Sequence, residues 1–385
     1  MIRQYTLEMP KRTYAGEDAL GNIPALLAGC RKAAVFTDRG VKAAGVLELV
    51  TEQAEKAGKP YVVFDELPPE PSYQRVQELI DAFRASGADV ILAAGGGSVM
   101  DAAKLASVLA TDEYTVKDLL DTPGLAKKRI PTVMIPTTAG TGAEVTYISI
   151  VAVPEKEVKI GIVSPEMIAD YVILDVRMIR ALPRPIAAST GIDALCHAVE
   201  CYTGRKANPF SDLFALEAAD LIFSHIERAC DDPDALEDKR AMQLGAYLAG
   251  EAIVCSGTTA VHGLSYPLGG KYHIAHGVSN AMLLVPVMRF NEPAIRSRLA
   301  GLFERCVHDG TVCRTEEEKS AHMIERMSRL VRHLDIPTNL GAFGVPRSDL
   351  DALVASGLEQ QRLLTNNMRE VTADAAAEIY LAVME

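Results

Sequence analysis

Between residues 33 and 138 the chain alternates short apolar, β-branched runs with longer stretches of helical period. AAVFTD (33–38), YVVFDEL (61–67), DVILAAGGG (89–97) and PTVMIPTT (131–138) have the length and composition of strands, the third running into a turn. VKAAGVLELVTEQAEKAG (41–58), YQRVQELIDAFRASG (73–87) and SVMDAAKLASVLAT (98–111) repeat apolar residues three and four apart, which predicts helices between those strands. Strands separated in this way form a parallel sheet with right-handed crossovers. From about residue 181 the helical period continues to the C-terminus with few β runs, and LPRP (182–185) marks the seam, its prolines restricting the backbone before a new helix. The expectation is an α/β, Rossmann-like parallel-sheet domain over 1–181 followed by an all-helical domain over 182–385.

The bulk numbers narrow the class. A length of 385 residues suits two hydrophobic cores, and 49% hydrophobic with 23% charged residues is the balance of an ordinary soluble enzyme. A net charge of −12, with no run of Lys or Arg, argues against a nucleic-acid partner. The N-terminal segment lacks the apolar core of a signal peptide, and no apolar stretch reaches the roughly 18 residues of a spanning helix. Seven scattered cysteines without a C-x-x-C pair read as reduced thiols. These features predict a cytoplasmic protein acting on a small molecule, with no membrane or nucleic-acid partner.

Two glycine- and threonine-rich loops carry the first candidate chemistry. Gly95, Gly96, Gly97 and Ser98 lie where a buried strand runs into a helix, so the backbone can approach a pyrophosphate closely. The spacing is not the Rossmann fingerprint, because Met100 stands where its last glycine should fall, and a tight turn without a ligand is the alternative. Thr137, Thr138 and Thr141, with Gly140 and Gly142, follow the next strand and offer hydroxyl and amide donors. Asp38 ends the first strand, where its carboxylate either binds ribose hydroxyls, favouring NAD(H) over NADP(H), or caps the following helix. Lys159 lies in the charged, hairpin-like EKEVKIG and reads on its own as solvated surface.

The second half carries a different constellation. In GIDALCHAVECYTG, Asp193 and His197 stand four apart, one helical turn, on one face. His262, His273 and His276 are three of the chain's eight histidines and fall within one short segment, VHGLSYPLGGKYHIAHGVSN. Pro267 and Gly269-Gly270 are expected to end the helix that bears His262, and His276 to open the next, so a loop can bring the two imidazoles together. With Asp193 and His197 they make three nitrogens and one carboxylate, a donor set for Fe²⁺ or Zn²⁺. Satisfied core histidines are the competing reading.

Taken together, GGGSVMDAAK (95–104), PTTAGTGAEVT (136–146), GIDALCHAVE (191–200) and HGLSYPLGGKYHIAHG (262–277) resemble the iron-containing, or group III, alcohol dehydrogenases in order and approximate spacing over nearly the whole chain. The resemblance implies an N-terminal Rossmann-like domain, a helical C-terminal domain, Asp193, His197, His262 and His276 as metal ligands, and Fe²⁺ as the metal, with Zn²⁺ as the alternative. It implies dinucleotide contacts at Asp38, Gly95, Gly96, Gly97, Ser98, Asp101, Thr137, Thr138, Thr141 and Lys159, lifting Lys159 from surface to cofactor contact. It also implies a homodimer or larger homo-oligomer. Many members carry a histidine four residues after the third ligand, where this chain has Tyr266. Tyr266, one turn beyond His262, and His273, three residues before His276, are the candidates for handling protons. The expected activity is hydride exchange between NAD(H) and a small alcohol or aldehyde, a diol or hydroxy acid included. The rivals are a glycerol-dehydrogenase-like or dehydroquinate-synthase-like metalloenzyme, disfavoured by His197 as a fourth ligand, and a non-catalytic nucleotide-binding regulator, disfavoured by the intact quartet.

Overall fold

A computed structural model of the chain describes residues 4–384, so the outermost ends of the two expected domains, 1 and 385, lie outside the described residues. The chain divides into two compact units, one over Glu8–Leu182 and one from Pro183 onward that also includes the segment up to Leu7.

The first unit is built on six parallel strands: β1 (Arg12–Ala15), β2 (Ala33–Phe36), β3 (Tyr61–Phe64), β4 (Val90–Gly95), β5 (Thr132–Pro136) and, after the antiparallel pair β6 (Ile148–Val153) and β7 (Val158–Val163), β8 (Tyr171–Leu174). Their order in the sheet is β1-β8-β5-β4-β2-β3. The inner strands β2, β4 and β5 are buried at every position, as strands covered on both faces must be, and so read as unbroken apolar runs. From β2 the chain moves outward to β3, then returns across β2 to β4 and continues to β5. The direction of winding therefore reverses between β2 and β4, and ligands of such sheets bind outside the strand ends at that reversal. Asp38 follows the carboxyl end of β2, and the Gly95–Ser98 turn follows that of β4.

The differences from expectation are local. The stretch expected as one helix over 41–58 is two, Arg39–Ala43 and Glu48–Lys56, separated by a turn in which Gly45 takes φ 70°. The next helix, Tyr73–Ser86, begins with the Ser72 hydroxyl capping the Arg75 amide and ends at left-handed Gly87, close to its expected bounds. The edge strand β1 had no signal because RTYA is short and mostly exposed.

Among the described residues the second unit contains helices and no strand. Its central helix, Arg184–Thr203, is buried continuously from Gly191 and packs on the Pro209–Asp231, Leu236–Ser256 and His276–Cys306 helices. The Ala260–Tyr272 helix does not stop at Pro267 or Gly269-Gly270 as expected. Residues 260–269 are all buried, and that packing offsets the hydrogen bond lost at Pro267 and the low propensity of glycine. No single described helix is long and apolar enough to cross a membrane; one pair, Leu236–Ser256 with Ala260–Tyr272, passes jointly on length and composition but is bent by 106°.

Candidate metal centre and nucleotide turn

Three helices bring four ligand-type side chains to one point. Asp193 and His197 project from one face of the Arg184–Thr203 helix, His262 stands in the first turn of Ala260–Tyr272, and His276 opens the His276–Cys306 helix. One ligand atom from each lies within 4.8 Å of every other. Asp193 Oδ1 is 3.8 Å from His197 Nε2 and 3.6 Å from both His262 Nε2 and His276 Nε2. The edge of a regular tetrahedron with metal–ligand bonds of about 2.1–2.2 Å is about 3.5 Å, so the three separations from Asp193 are close to those of a four-coordinate Fe²⁺ or Zn²⁺ site. Asp193, His197 and His262 are nearly inaccessible, whereas the His276 side chain is 28% exposed, which puts the open side of the group there. Gly277 makes the approach of His276 possible: a Cβ at that position would overlap the Ser189 carbonyl of the central helix.

A second layer, not anticipated from the sequence, orients these four side chains. Glu200 is fully buried and continues the Asp193–His197 face by one more turn. Its Oε2 bonds to His262 Nδ1, which leaves Nε2 facing the other ligands. Its Oε1 accepts from the backbone amides of Thr259 and Val261 (3.1 and 2.8 Å) and from the Thr259 hydroxyl (2.7 Å). This is the carboxylate–histidine arrangement that fixes the tautomer and raises the basicity of a metal-binding imidazole. Burial pushes the His262 imidazole down, but Glu200 and Asp193 more than offset it and bring it up to about 9. Burial likewise pushes Asp193 up, yet the three surrounding imidazoles hold its carboxyl well below the usual range. Asn280, one turn after His276, donates from Nδ2 to Asp193 Oδ1 at 2.6 Å and lies within 3.2 Å of the Nε2 atoms of His262 and His276.

Of the two residues expected to handle protons, Tyr266 is buried, with its ring 6.0 Å from that of His276. His273 is exposed and takes the left-handed conformation (φ 55°) that caps the Ala260–Tyr272 helix, outside the group of four. All seven cysteines are free, and burial pushes the Cys196 and Cys201 thiols upward, making them packing residues rather than nucleophiles.

In the first unit the two polar loops come together. The Thr137 amide donates to the Gly95 carbonyl at 3.0 Å, and a Cβ on Gly97 would lie 2.9 Å from Thr141, so glycine there lets the β5 loop rest on the start of the Gly97–Val108 helix. Thr138 borders Gly96, and the Thr141 hydroxyl accepts from the Ala143 amide at 3.2 Å. Asp38 does cap a helix, accepting from the Val41 amide at 2.9 Å. Asp101 is turned away from the loops: its carboxylate takes Lys104 Nζ at 3.0 Å and the Ile150 amide at 2.8 Å, fastening β6 to the helix. Lys159 is not solvated surface. It is 6% exposed, and its Nζ lies 2.5 Å from Glu70 Oε1, while the Glu70 amide donates to the Ser98 hydroxyl at 3.1 Å. Glu70 thus ties Lys159 to the glycine turn. Nothing in the sequence distinguished it from its neighbours in LPPEPS.

Residues 10–176 match the family model for iron-containing alcohol dehydrogenase, and residues 187–384 match the model for the C-terminal part of the Fe-containing alcohol dehydrogenase family. The chain is 36% identical over 342 residues to long-chain-alcohol dehydrogenase 1 of Geobacillus thermodenitrificans, spanning 88% of this chain and 86% of that protein. It is 33% identical to lactaldehyde reductase of Escherichia coli, over 91% of this chain and 92% of that one. Among solved structures, a 1,3-propanediol oxidoreductase superposes with a TM-score of 0.94 at 29% identity, covering 99% of this chain and 100% of that one. Sulfoacetaldehyde reductase from Bifidobacterium kashiwanohense, solved in complex with NAD⁺, superposes with a TM-score of 0.87 at 25% identity, covering 100% and 99%.

Proposed function

The chain belongs to the iron-containing alcohol dehydrogenase family, and from that premise we propose that it is a metal-dependent dehydrogenase exchanging a hydride between NAD(H) and a small alcohol or aldehyde. The observation that carries this reading is the convergence of Asp193, His197, His262 and His276, one ligand-type atom of each within 4.8 Å of every other, open on the His276 side. These four hold Fe²⁺, or Zn²⁺ in its place, and the ion supplies Lewis acidity toward the substrate's oxygen. Glu200 keeps the His262 tautomer correct, and Asn280 orients Asp193. The hydride acceptor is the nicotinamide of NAD, which carries the redox change.

The glycine turn receives the pyrophosphate on backbone amides, with Ser98, Thr137, Thr138 and Thr141 as hydroxyl and amide donors and Lys159 as counter-ion. Asp38 has one oxygen in its helix cap; the other accepts from ribose hydroxyls and repels a 2′-phosphate, which favours NAD over NADP. Asp101 acts on this site only by holding the hairpin that bears Lys159. Tyr266, beside His276, takes the proton-handling role in preference to exposed His273. A Tyr266→Phe enzyme is then expected to lose turnover with a shifted pH–rate profile, and one with unchanged turnover and profile would leave Tyr266 a packing residue.

The substrate class is a short alcohol, diol or hydroxy acid, or the matching aldehyde. The enzyme is read as cytoplasmic and homo-oligomeric, which light scattering on the purified protein tests. The central experiment measures iron and zinc in protein purified without added metal, then follows NADH formation with a panel of short alcohols, diols and hydroxy acids before and after chelation. Near-stoichiometric metal and chelator-sensitive turnover are expected. Turnover that is indifferent to chelator, Fe²⁺ and Zn²⁺ would remove the quartet from the chemistry.

A further inference from the structure

We propose that Glu70 is an intramolecular substitute for the dinucleotide's pyrophosphate: it neutralises Lys159 in the cofactor-free protein, must release it when a dinucleotide binds, and so sets the affinity for the cofactor. The inference rests on the reading of the glycine turn as the dinucleotide site.

Three observations converge on Glu70. Its carboxylate pairs with Lys159 at 2.5 Å, and Lys159 is buried while the Glu70 side chain is 30% exposed, so of the two only the glutamate has room to swing into water. Its amide is bonded to Ser98 in the first turn of the Gly97–Val108 helix, which brings an anion to the same helix start that the dinucleotide reading gives to a phosphate. Its backbone is left-handed, φ 51°, a conformation disfavoured for a residue with a side chain. The strain is held in place next door, where the Ala152 amide of β6 donates to the Pro71 carbonyl at 3.0 Å and Ser72 bridges Ala152. A segment pinned to the hairpin on one side and to Ser98 on the other presents Glu70 to Lys159 at a conformational cost, as expected of a residue kept for its charge.

The consequence is electrostatic. A pyrophosphate arriving at Lys159 meets a cation already neutralised and a carboxylate that repels it. Glutamine at 70 keeps the shape, still accepts a hydrogen bond from Lys159, and removes the competing charge. Glu70→Gln is therefore expected to bind NADH and ADP roughly tenfold more tightly, with a steeper loss of affinity as salt is added, and Glu70→Asp to stay close to the unaltered protein.

The experiment titrates the unaltered protein, E70Q, E70D, K159M and the E70Q/K159M double variant with NADH and with ADP, after melting curves confirm that each is folded. The expected result is tighter binding by E70Q, weaker binding by K159M, and a double variant indistinguishable from K159M, because removing Glu70 helps only through Lys159. Unchanged or weaker binding by E70Q overturns the proposal, making Glu70 a positioning residue for Lys159. A double variant that keeps the full E70Q gain also overturns it, since the carboxylate then acts without Lys159. If the unaltered protein binds neither nucleotide, or K159M binds both normally, the dinucleotide reading of the turn fails, and this inference with it; that pattern differs from failure at E70Q alone.

Discussion

Single side chains divide between those that do chemistry and those that hold the chemistry still, and Glu200 belongs to the second kind. Its four contacts, all buried, fix His262 and the Thr259–Val261 backbone together. Glu200→Gln can leave the amide bonded to Thr259 while losing the charge on His262, so metal affinity measured against a chelating dye should fall about 10–100-fold with the fold retained. Glu144, at the end of the threonine loop, is a different case. Burial pushes its carboxyl up to about 7, against the lowering by its own backbone hydrogen bond and by Lys104. The folded protein therefore holds a proton there that the unfolded chain releases near pH 4.5, and the stabilising contribution, complete below that pH, disappears as pH rises through about 7. Compared with Glu144→Gln, the unaltered protein should lose stability progressively between about pH 4.5 and 7 and no further above that, by about 3 kcal/mol in all, in urea titrations at each pH. A difference that does not change with pH would mean that Glu144 is ionised in the fold throughout. The convergence of Asp193, His197, His262 and His276 was legible from spacing and clustering, and Glu200 was within reach, seven residues beyond Asp193 on the same helical face. Glu70 was not legible, because its meaning depends on β6 and β7 folding back across its loop.

Elements place these residues through contacts too close for a side chain. At the glycine turn, a Cβ on Gly96 would lie 3.6 Å from Thr138, an ordinary contact, whereas on Gly97 it would lie 2.9 Å from Thr141. Gly96 is also extended, with φ −81° and ψ −171°, so alanine is conformationally acceptable there. Gly96→Ala should leave thermal stability within about 1 kcal/mol of the unaltered protein yet weaken NADH binding by occupying the backbone face offered to phosphate. Gly97→Ala should cost about 1–3 kcal/mol through overpacking even without nucleotide. Equal melting temperatures for the two variants would contradict this division of labour. Element boundaries were the least legible level. The apolar period over 41–58 crosses a left-handed turn at Gly45 that pattern alone does not register, and Pro267 with two following glycines signals a helix end that complete burial of the preceding turns overrides. Strands β2, β4 and β5 were legible because both of their faces are covered, so their apolar runs are unbroken; β1, short and largely exposed, carried no such run, and β6 and β8 were not anticipated although both are apolar.

For the whole molecule, the two compact units are expected to answer to different ligands. The four candidate metal ligands lie beyond Pro183, on three separate helices, so an ion bound there would cross-link the Arg184–Thr203, Ala260–Tyr272 and His276–Cys306 helices. The turn, the threonine loop, Asp38, Glu70 and Lys159 all lie within residues 8–182. A ligand that binds only the folded form stabilises it by about 4 kcal/mol at a thousand times its dissociation constant. Hydrogen exchange should therefore show chelation loosening amides of the three metal-bearing helices while the sheet strands keep their protection. NADH should add protection around β4, β5 and the Gly97–Val108 helix in metal-free protein as well as in loaded protein. In the sequence each half carries its own period and its own clustered chemistry, glycine and threonine in one, histidine and aspartate in the other. If chelation instead raised exchange equally in the sheet and the helices, the units would unfold as one cooperative block, and the metal would have to be counted as a structural ligand of the entire chain.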